Sequence, residues 1–249
     1  FVGPLTDYFT GELGQAVTAN DILMPFSVFL AVFAITMPFT GKIIDRYGPR
    51  NVTITGGVLT GLGWFLASFA SSVLMLTIIF GLIGGMGVGI AYSVLVAVAA
   101  HWFPDRRGLA VGLMVLGVGF SAFFTANIAG WLIGAWGVMT TFRIFGIAIA
   151  VLTTVLALPL KFPPSGWVPP GWTPPPPGPG EGHPCECSRS VMLRSSSFYG
   201  LWACYFIGCL AGLMAISIAK PVGTDGGIET TLATFLVGFF AIFNGGGRP

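Results

Sequence analysis

The chain has 249 residues, of which 54% are hydrophobic and only 8% charged, with a formal net charge of +2 and a mean hydropathy of +0.87. A soluble domain carries about 25% charged residues, so a deficit this large excludes an ordinary water-soluble domain and points to a membrane protein. The small net charge gives no footing for a nucleic-acid partner, and four cysteines are too few for a disulfide framework.

Residues 1–9 read as the tail of an apolar helix whose beginning lies before the first residue. A cleaved signal peptide is the alternative, but no basic n-region or small-residue cleavage site is present. Stretches free of Asp, Glu, Lys and Arg then cover 22–41, 51–104, 108–142, 144–160, 195–219 and 230–247. A membrane helix needs about 20 apolar residues. The first stretch therefore holds one helix, and the second holds two with a turn near Ser71 and Ser72. The span 108–160 holds two, with a turn near 134–137 and one charge, Arg143, inside. The last two stretches hold one helix each. The fold class is all-α: a polytopic membrane helix bundle. Cys204 and Cys209 fall in an apolar run and read as small packing residues.

Basic residues set the orientation. Lys42, Arg46 and Arg50 fall in one loop, Arg106 and Arg107 in a second, and Lys161, Arg189 and Arg194 in a third. Two helices separate each loop from the next, so all three share one face, which the positive-inside rule makes cytoplasmic. The loops 10–21, 71–72 and 134–137 carry no Lys or Arg, and Lys220 is the exception. Small residues recur at four-residue spacing at Gly57 and Gly61, at Gly81, Gly85 and Gly89, and at Ala126, Gly130 and Gly134. Such stripes let helix backbones approach closely in lipid.

Residues 161–194 differ in kind. Proline removes backbone donors and fixes φ, so this stretch reads as an extended, polyproline-like linker. It separates an N-terminal bundle (1–160) from the start of a C-terminal one (195–249). His183, Cys185 and Cys187 lie in it, but a C-x-C pair without a second ligand cluster is no usual zinc pattern, and no metal site is expected.

The charge is concentrated in TGKIIDRYGPRN (40–51), placed between the second and third helices. Topology explains its basic residues but not Asp45, since acidic residues contribute little to orientation. A carboxylate at the membrane edge needs a cation or a helix N-terminus as partner. Gly41 and Gly48 allow a tight turn and a close helix approach. The pattern Gly41-x-x-x-Asp45-Arg46-x-Gly48-x-Arg50 resembles the signature loop of the major facilitator superfamily. That resemblance implies a twelve-helix carrier, of which this chain holds the tail of helix 1 through helix 8. It further implies that Asp45 and Arg46 latch two six-helix bundles together on the cytoplasmic side, with Arg50 in support.

HWFPDRRGLAVGL (101–113) joins helices 4 and 5. Pro104 stops one helix, Asp105 is placed to cap the next, Arg106 and Arg107 sit at the inner interface, and Trp102 is a belt residue. This stretch resembles the matching loop of monocarboxylate and oxalate/formate carriers. PPSGWVPPGWTPP (163–175) and SFYGLWACYFIGCLAGLMAISIAKP (197–221) resemble the oxalate/formate antiporter family in particular. Gly81 stands where drug/proton antiporters of the superfamily carry an arginine. FNGGGRP (243–249) resembles the end of helix 8.

Substrate sites in such carriers lie near the midplane between the bundles, where an ionisable residue is the default pointer. Arg143 is the one candidate, with an interfacial or packing role as its alternative. Tyr92 in helix 4 and Asn127 in helix 5 could donate to a carboxylate or satisfy a neighbouring helix backbone. Carriers of this family hold the carboxylate with a helix 8 arginine. That helix has none here, so the resemblance implies organic-anion transport without singling out oxalate. No catalytic triad or nucleotide-binding motif is present, and neither enzyme activity nor a cofactor is expected. The expected function is antiport of a small carboxylate, such as oxalate or formate, across a plasma or inner membrane. The alternatives are a proton-coupled lactate or pyruvate symporter, and a non-transporting membrane sensor or degenerate fragment.

Overall fold

The computed structural model describes residues 1–164, 166–173, 189–229 and 232. The helix expected at 230–247, Leu232 excepted, lies outside the described residues, as do His183, Cys185, Cys187 and Arg248. Among these residues every regular element is helical: α1 (Val2–Asp7), α2 (Ala19–Ala67), α3 (Val73–Leu76), α4 (Gly85–Trp102), α5 (Arg107–Ala157), α6 (Arg189–Met192) and α7 (Ser196–Asp225), with π-helical turns at Tyr8–Glu12 and Thr77–Gly84. The chain divides into two compact units, the first ending at Pro169 and the second beginning at Pro170.

Two of the long helices in the first unit are hairpins. In α2 the chain leaves helical geometry at a single residue, Gly48, with φ 76 and ψ 160. In α5 it does so at Gly137, with φ 79 and ψ 168. That region of backbone space is essentially open to glycine alone. Pro49 then occupies the first position of the returning helix, where its missing N–H has no cost. Contacts prove the reversal at Gly48. Along the 19–47 arm, Val28 lies against Gly81, Phe29 against Gly85 and Thr36 against Gly89, so this arm runs parallel to the fourth helix. Along the 49–67 arm, Gly63 meets Gly84, Thr60 meets Gly87 and Gly56 meets Ala91, so this arm runs antiparallel. The 138–157 arm returns against 49–67 in the same antiparallel sense, with Gly61 on Gly146 and Gly57 on Thr153.

Local chemistry sets the remaining ends. Thr18 and Asp21 form a capping box that starts α2, with the Thr18 N–H donating to Asp21 at 2.8 Å. The helix therefore begins at Ala19, and the expected loop 10–21 shrinks to residues 13–18. Ser72 accepts from the Met75 N–H at 3.2 Å and starts α3. Three stretches are long and apolar enough to cross a membrane: Asn20–Ala67, Val73–Trp102 and Phe124–Ala157. The first contains the reversal at Gly48 and the third that at Gly137.

The core of this unit lies at its two ends. At one end Leu5, Phe9, Ile22, Ala67, Leu76, Val138 and Phe142 are buried together, and Gln15 donates to the Ser71 carbonyl at 2.8 Å. At the other, Ile44, Val52, Ile90, Val94 and Val98 form a second cluster that Trp102, Leu160 and Phe162 pack against. This second end carries Lys42, Asp45, Arg46, Arg50, Asp105, Arg106, Arg107 and Lys161, and is called the basic end below.

Two expectations about packing are corrected. The stripe at Gly81, Gly85 and Gly89 is filled by the neighbouring arm, but at Gly130 and Gly134 no atom lies within 4 Å of where a Cβ would stand. Those residues instead line a cavity of about 730 Å³ together with Ala126, Phe1, Pro4 and Phe26. Residues 161–173 are also not a free linker throughout, because Lys161 and Trp167 are tied back onto α4.

In the second unit α7 continues beyond Lys220 to Asp225, past the end expected from the charge pattern. Leu201, Tyr205 and Leu210 are exposed, and the Trp202 and Phe206 rings stack at 5.4 Å. A helix apolar on all sides suits a lipid or interhelical environment.

One hydroxyl breaks the pattern of the others. Thr36, Thr40, Thr60, Thr77, Thr141 and Thr154 each donate to the carbonyl four residues earlier. Thr53 is only 5% exposed, yet its hydroxyl has no partner among the described residues. An unpaired buried hydroxyl costs about 1–3 kcal/mol. Thr53→Val, which keeps the shape, is therefore expected to raise the melting temperature in detergent, and an unchanged or lower melting temperature would refute this.

Candidate functional site

The turn 41–50 is built from both arms of α2. Ile44 and Val52, 4% and 3% exposed, anchor it in the basic-end cluster. Lys42, Asp45, Arg46 and Arg50 all project outward as exposed side chains. Asn51 donates to the Tyr47 carbonyl at 3.2 Å and so closes the end of the first arm. Arg46 lies over the neighbouring Tyr47 ring at 5.4 Å. Asp45 has no ion-pair partner among the described residues. Buried apolar neighbours thus hold the charged face in place while its carboxylate stays available. Gly48 makes the turn; Gly41 lies within the helical arm and takes no part in it.

The loop after α4 shares this end. Pro104 lies in the break between α4 and α5, as its missing N–H requires. Asp105 does not cap α5. The N-cap is Arg106, with no side-chain hydrogen bond, and Asp105 instead pairs with Arg106 at 3.8 Å. Because the helix starts at Arg107, Asp105 is one residue too early to reach the first free N–H groups. Both partners retain exposure, so this pair adds little stability.

The three substrate candidates do not form one cluster. Arg143 lies six residues past the Gly137 reversal, at the end opposite the basic one. Its Nε donates to Ser68 Oγ at 3.2 Å, and its guanidinium sits 4.7 Å from the Phe69 ring centre. These contacts join Arg143 to the 68–72 turn. Tyr92 is half-buried in α4, edge-on to Phe33 at 5.5 Å, between the fourth helix and the 19–47 arm. Asn127 is exposed on the α5 arm that borders the 730 Å³ cavity through Ala126 and Gly130. A second cavity of about 300 Å³ has an apolar wall that includes Phe26, Trp64, Phe80 and Phe142. Among the described residues no cluster of His, Cys, Asp and Glu could hold a metal.

Ser68 and Phe69 were not legible as partners of Arg143, which lies 75 residues away. Trp167 was likewise not legible as a partner of Trp102, at a separation of 65.

A membrane bundle of helical hairpins, with a charged Asp-Arg turn at one end, defines a class of polytopic membrane protein. The sequence profile of the Major Facilitator Superfamily matches residues 1–249, and the chain belongs to this family. It is 27% identical to the oxalate:formate antiporter of Oxalobacter formigenes over 256 aligned residues, covering 100% of this chain and 56% of that protein. It is 26% identical to an uncharacterized MFS-type transporter, YhjX, of Escherichia coli strain K12, covering 96% of this chain and 58% of that protein. Over 112 residues it is 38% identical to monocarboxylate transporter 13 of Bos taurus, covering 44% of this chain and 26% of that protein. The chain thus spans just over half the length of the relatives it matches from end to end. Its named relatives are transporters, and it is an integral membrane protein.

Proposed function

We propose that the protein is a secondary carrier that moves a small organic anion, a mono- or dicarboxylate, across a membrane by alternating access. The observation that carries this reading is the similarity to an oxalate:formate antiporter over the full chain. Antiport is the favoured mode for the same reason. In this reading the bundles of 1–160 and 195–249 rock about a central site, and the linker between them faces the cytoplasm. The basic end is cytoplasmic, because its loops hold Lys42, Arg46, Arg50, Arg106, Arg107 and Lys161 while the turns at the other end have no Lys or Arg. Asp45 and Arg46 form the latch that closes that end, with Arg50 in support. Tyr92 and Asn127 are substrate-facing donors, and Arg143 serves the outer rim.

A proton-coupled symporter of lactate or pyruvate is the second reading, favoured by the higher identity to a monocarboxylate transporter over part of the chain. Flux in proteoliposomes separates the two. Vesicles containing the protein at its natural length are loaded with oxalate, formate, lactate or pyruvate, and entry of labelled anion is followed with and without a pH gradient. Entry that requires internal anion supports antiport and names the substrate. Entry driven by the proton gradient alone supports the symporter. No flux of any anion by folded protein would overturn carboxylate transport.

A further inference from the structure

The residues after the last helix of the first unit are not slack. The chain leaves α5 at Ala157, and the Leu160 N–H donates to the Ala157 carbonyl at 3.0 Å. Leu160 and Phe162 then pack onto the basic-end cluster, whose members include Ile44 and Val52 on either side of the Gly48 turn. Trp102, the last residue of α4, donates its indole N–H to the Lys161 carbonyl at 2.8 Å. Trp167 donates its own indole N–H to the Trp102 carbonyl at 3.3 Å, and the two rings meet edge to face at 5.3 Å. Phe162 lies 4.9 Å from the His101 ring. Gly166, with φ 79, makes the bend that returns Trp167 to α4, and the Trp167 N–H closes it on the Pro164 carbonyl at 3.0 Å.

The Trp102 carbonyl is one of the last four of α4, which have no partner inside the helix. Trp167 satisfies it from 65 residues away. A generic tether would leave that carbonyl to water and would carry no indoles aimed at a helix end. We propose that residues 160–164 and 166–167 form a buttress that clamps the ends of α4 and α5 together and, through Leu160 and Phe162, holds the turn 41–50 in the shape its charged face requires. Trp102 and Trp167 are its fastening. The chain after α5 is thus tied to the first unit as far as Trp167. The meaning for gating rests on the latch reading above; the mechanical coupling does not.

Amide hydrogen exchange on the natural-length protein tests the coupling, using Trp167→Ala and Trp167→Phe. The phenylalanine variant keeps a ring and loses only the donor. In Trp167→Ala, exchange is expected to accelerate about tenfold both in 160–167 and in 41–52, the scale of a lost hydrogen bond with its packing. The 68–72 turn at the opposite end should be unchanged. Trp167→Phe should show a smaller change in the same two segments. Release of 160–167 with 41–52 unchanged would overturn the buttress, as would uniform acceleration that includes 68–72. Exchange reads the fold and not flux. Normal transport in an Asp45 variant would therefore defeat the latch and leave this result standing, whereas uncoupled exchange would defeat the buttress and leave carboxylate transport standing.

Discussion

Replacing Gly61 with alanine is expected to destabilise the protein by about 3 kcal/mol, the upper part of the range for overpacking a tight contact. A Cβ at this position would stand 2.5 Å from the Gly146 carbonyl oxygen and 2.6 Å from the Ala150 Cβ. Both belong to the facing helix, and one is backbone, so no flexible side chain can move aside. The contact is reciprocal: a Cβ on Gly146 would meet the Phe65 nitrogen at 2.6 Å and the Gly61 oxygen at 2.7 Å. Either substitution forces the 49–67 and 138–157 arms apart. Once they have parted, the second substitution meets less resistance, so Gly61→Ala with Gly146→Ala should cost less than the sum of the two. Gly130→Ala is the control, because nothing stands within 4 Å of its Cβ position. Melting of the purified protein in detergent measures all four variants. Equal loss in Gly61→Ala and Gly130→Ala would show that the arms are not in backbone contact.

Asp45→Asn is expected to lower the anion exchange rate about tenfold while leaving expression and melting temperature unchanged. The side chain is exposed and unpaired among the described residues, so the fold does not depend on its charge. If its partner is met only when the basic end closes, the lost term is a charge-assisted hydrogen bond present in one state of the cycle. Bonds to charged groups contribute about 1.5–3 kcal/mol, and about 1.4 kcal/mol is a factor of ten in a population. A ligand-free shift of that size slows any cycle that must pass through the closed state. Exchange at the rate of the unmodified protein would remove Asp45 from the gating machinery.

How much of this was visible in the chain differs from feature to feature. Among the described residues, the helices and their order followed from where charge was absent. The turn between the second and third helices was also legible within 40–51, from its charge and from Gly41 and Gly48, of which only Gly48 makes the reversal. The reversal at Gly137 could be placed only within 134–137, because two glycines compete there and no proline marks the choice. The small-residue stripes at Gly81, Gly85 and Gly89 and at Ala126, Gly130 and Gly134 look alike as spacing. Only the fold shows that Val28, Phe29 and Thr36 fill the first while the second borders a cavity. Spacing along one helix says what could approach, never what does. The same limit hid the contacts of Arg143 with Ser68 and of Trp102 with Trp167, which join residues far apart in the chain. Asp105 was misassigned for a smaller reason: helix starts drift by a residue or two, and one residue decides whether a carboxylate can cap.

The single-residue joints at Gly48 and Gly137 have a consequence for how the protein can be built and altered. A loop of several residues lets two helices slide past each other and accepts inserted sequence; one glycine between helices permits neither. Each pair of arms is therefore held in one register, because a single glycine leaves no spare chain between them. An epitope or fluorophore inserted at either joint would have to unwind a helix to make room. The same insertion at 103–104 would meet an existing break.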